Sequence, residues 1–217
     1  GSTLMLETGE YFLEKKIKVT KDITIIGDIG GATIIAANKN IAKPIDYLFR
    51  VEEDVTFKLS HVFIDGKNSN LKYAIVSPDK LQGAGYNLFV DTVVFQNFKN
   101  KKGGSVFKAY NGTKADTLSF VNSRFENNYR GLNLSYDNKN SGMFNANFII
   151  VKNSVFKNIE ESAINYVRKI PNNMISGGDL LVENCVFYNV DNREKGKMIK
   201  ADGIRSEEHT SELQSRQ

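Results

Sequence analysis

The chain of 217 residues has no tryptophan, one cysteine and two histidines. A lone cysteine excludes a disulfide framework within the chain. His209 lies in the terminal segment set aside below, and around the remaining His61 neither a Ser-His-Asp or Cys-His constellation nor the three or four ligands of a zinc site can be assembled. Helical apolar faces are missing too, since no long segment repeats apolar residues at i, i+3, i+4 and i+7. There is no Lys/Arg run and no interleaving of basic and aromatic residues of the kind nucleic acid calls for, and the net charge of +4 is mild. Such a charge suits an anionic polysaccharide partner.

What the chain has is a period. His61, Thr92, Ser123, Ser154 and Cys185 follow one another at 31 residues, as do Ser60, Asp91, Asn122, Asn153 and Asn184. They sit in the related phrases LFVDTVVFQN, LSFVNSRFEN, IIVKNSVFKN and LLVENCVFYN. Within a phrase the alternation has a period of two and is rich in β-branched and aromatic residues, so each phrase is strand-like. A second strand candidate follows each phrase, at 105–110, 131–136, 163–167 and 197–201, with room for a third short strand. The fold expected is all-β: a right-handed parallel β-helix, a solenoid of about 31 residues per coil.

Equivalent residues in such a stack lie about 4.8 Å apart. Phe95, Phe125, Phe156 and Phe187 are expected as an interior column headed by Ile64. Asn97, Asn127, Asn158 and Asn189 are expected at a repeated bend, where asparagine tolerates left-handed backbone and bonds to the next amide. Thr92, Ser123, Ser154 and Cys185 are expected in a single line, with Cys185 a small stacked residue.

The β-helix is assigned to residues 1–204 and is expected to be truncated at its C-terminus. Residues 205–217 resemble a translated sequencing adapter. They are expected to be a non-native tail, irregular or an incidental helix, with few core contacts.

Thr3–Leu13, Ile17–Val19 and Asp22–Gly27 resemble the opening coils of secreted right-handed parallel β-helices. The nearest resemblance is to the chondroitinase B and alginate lyase family, polysaccharide lyase family 6, and to β-helix domains of Bacteroidetes surface proteins. The resemblance implies a secreted or cell-surface bacterial protein. In that family a lysine and an arginine act as base and acid, and calcium is held by an asparagine and two glutamates. The echo here is Asn192-Arg-Glu194-Lys-Gly196-Lys-Met-Ile-Lys200, with Lys200 as candidate base and Glu194 as candidate calcium ligand. Gly196 stands where the second glutamate belongs. No other cofactor is implied.

Other motifs read as structure. Gly27–Gly31 is a turn, Asn111-Gly-Thr113 a turn and Asn133-Leu-Ser135 a strand, while Glu52–Asp54 and Glu160–Glu161 read as surface loops. If Phe107, Ala109, Leu132, Leu134, Ile164, Tyr166, Ile199 and Ala201 point inward, alternation sends Lys108, Tyr110, Asn133, Ser135, Asn165, Lys200 and Asp202 outward along one face. These are the candidate substrate-binding residues, and a polysaccharide or other glycan is the partner they suit. The function expected is an extracellular carbohydrate-binding or carbohydrate-processing module, non-catalytic in this fragment. The alternatives are a polysaccharide lyase working by β-elimination with incomplete catalytic coils, and a structural adhesin or fibre stalk.

Overall fold

A computed structural model describes all residues except 39, 41–44, 68–70, 80–83, 111, 135–144, 168–177, 193–195, 203–204 and 210–217, and the side chains of 202 and 205–209 are likewise outside the description. The described residues form three parallel sheets. Sheet A contains β1 (Ser2–Met5), β4 (Ile23–Ile26), β7 (Thr56–Ser60), β10 (Asn87–Asp91), β13 (Ala115–Val121), β16 (Ala146–Lys152), β19 (Asp179–Glu183) and β22 (Arg205–His209). Sheet B contains β2 (Gly9–Leu13), β5 (Thr33–Ala37), β8 (Phe63–Asp65), β11 (Val94–Gln96), β14 (Arg124–Asn128), β17 (Val155–Ile159) and β20 (Val186–Val190). Sheet C contains β3 (Ile17–Val19), β6 (Tyr47–Val51), β9 (Tyr73–Val76), β12 (Ser105–Lys108), β15 (Leu132–Asn133), β18 (Ile164–Val167) and β21 (Ile199–Asp202). Each coil gives one strand to each sheet and pairs with the coils before and after it. With right-handed crossovers, this is a right-handed parallel β-helix.

Alternation fills the interior. Ile64, Phe95, Phe125, Phe156 and Phe187 pair in register and are all buried. The four rings stack with centroids 5.3, 4.4 and 5.1 Å apart, as offset aromatic pairs prefer.

The corner between sheets A and B departs from the sequence reading. Leu88 pairs with Leu118 and Asp91 with Val121, a step of 30 rather than 31. Thr92 therefore shares its level with Asn122, not Ser123. The left-handed corner residues are His61, Thr92, Asn122, Asn153 and Asn184, with φ between 49° and 56°. The buried line beside them is Val62, Val93, Ser123, Ser154 and Cys185. Apolar pairing along β10 and β13, Leu88 on Leu118 and Val90 on Phe120, sets this register, and the corner follows it.

The two serines satisfy the buried corner. Each hydroxyl donates to a carbonyl of its own strand, Ser123 to Val121 at 2.7 Å and Ser154 to Lys152 at 2.8 Å. Each also accepts a backbone N–H from the preceding coil, Val93 at 3.2 Å and Ser123 at 3.1 Å. Cys185 continues the line, its Sγ 3.3 Å from the Glu183 carbonyl, and burial pushes its thiol pKa up. It is a packed, protonated thiol.

The second bend agrees with the sequence reading. Asn97, Asn127, Asn158 and Asn189 all have positive φ, and Asn189 donates to Asn158 at 2.8 Å and Asn158 to Asn127 at 3.0 Å.

Residues 205–209 are neither irregular nor helical. They form β22, parallel to β19 from Asp179–Arg205 to Glu183–His209. An unpaired parallel edge offers a row of backbone donors and acceptors that any extended segment can satisfy, whatever its side chains.

Candidate functional site

Sheet C positions the candidate residues. Its register aligns Lys18, Arg50, Val76, Lys108, Asn133, Asn165 and Lys200 in one column, one residue per coil. The preceding residue on each strand faces the core. Phe107, Leu132 and Ile164 are fully buried, as are Ala109, Leu134 and Tyr166 two residues further on. Ile199 is half-buried and Ala201 exposed, contrary to the inward expectation, because among the described residues β21 is the edge strand of its sheet.

Lys18 at the head of the column is exposed, but from Arg50 onward the column is a recessed floor rather than an open stripe. Asn133 is 3% exposed, Arg50 8% and Val76 0%, whereas Lys108, Tyr110, Asn165 and Lys200 are half-buried. Asn165 donates its side-chain amide to Asn133 Oδ1 at 3.2 Å, so the two amides form a rung of a ladder. Arg50 is held by Glu52 at 2.8 Å and by Asp79. Tyr110 meets Tyr73 edge-on, with centroids 6.5 Å apart and planes at 83°. Burial pushes both hydroxyl pKa values up, so both phenols remain neutral donors.

Further along the axis three charges converge. Arg130 Nη2 lies 2.6 Å from Glu161 Oε2, and Lys200 Nζ lies 3.5 Å from Glu161 Oε1. Glu161 is only 8% exposed, so it is not part of a surface loop as its sequence context implied. Burial opposes its ionisation, but hydrogen bonds from Arg130 and Tyr129 and the charges of Arg130 and Lys200 outweigh it. Its pKa therefore lies below the ordinary 4.5. Two cations on one carboxylate leave a net positive charge, and Arg130 Nε is buried without a hydrogen-bond partner.

Sequence reasoning missed Tyr73, Arg130 and Glu161. The signal available for the last two is that opposite charges stand one period apart, which the stack converts into contact.

Glu194 and Ser135 lie outside the described residues, as does the side chain of Asp202, although Asp202 pairs with Val167 in sheet C. Around Lys200 the described residues do not fit a calcium ion. Glu161 is already neutralised by two cations, and among the described residues no three carboxylate, histidine or cysteine side chains converge. A Cβ at Gly196 would come 1.9 Å from the Asp191 carbonyl oxygen, so this backbone leaves no space for a glutamate there.

No family model matches the sequence, and no curated protein matches it. Among solved structures the chain is similar to the PL6 family alginate lyase AlyGC, with a TM-score of 0.75 and 20% identity over 89% of this chain and 26% of that one. An arginine-to-alanine mutant of the same lyase gives a TM-score of 0.73 and 19% identity over the same shares. The chain thus spans about a quarter of that enzyme's length. At this identity the likeness is one of fold, a parallel β-helix.

Proposed function

We propose that this β-helix is an extracellular module that binds an extended acidic polysaccharide along the outer face of sheet C, without cleaving it. The observation that carries the reading is the convergence of Arg130 and Lys200 on one buried carboxylate, in line with Lys108 and the Tyr73–Tyr110 pair. A site with two cations and one anion has electrostatic capacity for a second carboxylate, supplied by a uronate. Charge-assisted hydrogen bonds to it contribute about 1.5–3 kcal/mol each. The tyrosines present apolar ring surface with a hydroxyl handle. Repetition at about 4.8 Å per coil lets successive sugars meet successive coils. In this reading Lys108, Tyr110, Asn165 and Lys200 contact the glycan and Asn133 supports Asn165, with Asp202 at the far end.

The likeness in fold to an alginate lyase supports a second reading, β-elimination with Lys200 as base. That chemistry needs an unprotonated amine at the sugar C5–H, whereas Lys200 is engaged with Glu161. Isothermal titration with oligomannuronate tests the first reading, with binding expected and lost in the Lys108→Ala/Tyr110→Ala double variant. Absorbance at 232 nm tests the second. A rise with the intact protein that vanishes in Lys200→Ala would replace binding by catalysis.

A further inference from the structure

On the outer face of sheet B, Phe12, Ala36 and Asp65 are aligned in register on successive coils. Phe12 is 55% exposed, so its ring is open to a ligand. Ala36 contributes only a methyl group, so the column drops between the ring and the carboxylate, and a cleft of 580 Å³ opens there. Glu10, Ile34, Ala37, Asn38 and Lys67 are also among its lining residues. The volume lies within the roughly 300–1,000 Å³ typical of small-ligand sites.

We propose that this notch binds a neutral pyranose, stacked on Phe12 and hydrogen-bonded to Asp65. The face of an aromatic ring is electronegative and attracts the weakly positive axial C–H groups of a sugar, while the edge of the sugar presents hydroxyl donors. Asp65 is placed to receive one. Its oxygens accept from Gln96 at 3.1 Å, Asn97 at 2.8 Å and the Lys67 amide at 2.8 Å. A carboxylate has about four lone-pair positions, so one acceptor place remains. Those bonds also fix its orientation. The lining carries two carboxylates, Glu10 and Asp65, against one cation, Lys67, so a uronate is repelled where a neutral sugar is not. This separates the notch from the cationic face of sheet C, and neither site depends on the other.

Saturation-transfer NMR and calorimetry with cellohexaose, alongside oligomannuronate, test the assignment. Cellohexaose is expected to bind, with transfer from aromatic protons, and to weaken at least about tenfold in Phe12→Ala. Ala36→Leu, which fills the notch and leaves the ring in place, is expected to weaken it similarly. The Lys108→Ala/Tyr110→Ala variant is expected to bind it unchanged. No binding of cellohexaose to the intact protein, undiminished binding to Phe12→Ala, or a preference of the notch for oligomannuronate would overturn the proposal.

Discussion

Thr92 and Asn122 occupy the same left-handed corner of successive coils, with φ of 55° and 49°. Both reach the same carboxylate, since Thr92 Oγ1 and Asn122 Nδ2 donate to Asp91 Oδ1 at 3.0 and 2.9 Å. Their backbones cost different amounts. A β-branched residue at positive φ is a genuine outlier, whereas asparagine visits that region readily. Thr92→Asn is therefore expected to stabilise the protein by about 1 kcal/mol, and Asn122→Thr to destabilise it by a similar amount. Urea unfolding midpoints check both, and equal stability in all three proteins would remove strain from the description of this corner.

The phenylalanine stack is expected to be the most sensitive part of the core. Phe156 has aromatic neighbours on both sides, at 4.4 and 5.1 Å, and no solvent exposure. Phe156→Ala is expected to cost about 3–5 kcal/mol and Phe156→Leu less, because leucine leaves a smaller cavity. Chemical denaturation of the two variants gives the comparison directly.

Much of this core was legible in the sequence. The phenylalanine column keeps one residue type through a step of 30 and two of 31, and the Asn97 column does the same at its bend. The first corner was not legible at the same level. DTVVF and NSRF differ by one residue, and aligning polar Asp91 with polar Asn122 looks as good as aligning Thr92 with it. Only the apolar pairing along β10 and β13 decides between them. The cluster at Glu161 was hidden for another reason. Arg130 and Glu161 lie just outside the strands, and the Glu160–Glu161 pair reads as solvated until the stack places Arg130 against one member. On sheet C alternation puts Lys108, Asn133, Asn165 and Lys200 at equivalent positions, and the register pairs these four, yet alternation gives direction and not depth, so the burial of Asn133 could not be read from it.

Acid is expected to weaken the fold through Glu161. Its pKa is lowered in the folded state, so the stabilisation is fully present above the ordinary carboxylate value of 4.5 and is lost as pH falls through the lower folded value. Glu161→Gln is expected to cost about 2 kcal/mol at neutral pH, with the deficit shrinking toward zero below that range. Melting temperatures from pH 3 to 7 report this. A deficit that stayed constant with pH would mean that the Arg130–Glu161 contact does not depend on the charge of the carboxylate.

Salt separates the two sugar sites proposed for this surface. Binding of oligomannuronate to sheet C relies on half-buried cations that still reach solvent, and is expected to weaken several-fold between low and physiological ionic strength. Binding of cellohexaose at Phe12 relies on stacking and hydrogen bonds to hydroxyls, and is expected to change little. Calorimetry of both ligands at two salt concentrations makes the comparison, and equal salt dependence would argue against distinct cationic and neutral sites.

The most direct test of the sheet C reading is the affinity of the intact protein for oligomannuronates of increasing length, measured by calorimetry alongside Arg130→Ala, Lys200→Ala and Lys108→Ala/Tyr110→Ala. A glycan running along the helix axis is expected to bind more tightly with each added sugar until the column from Lys108 to Lys200 is filled. Each variant is expected to lose about 10- to 100-fold in affinity, as removal of a charge-assisted contact does. Affinity independent of length, or unchanged in all of these variants, would contradict the assignment of this face to a polysaccharide.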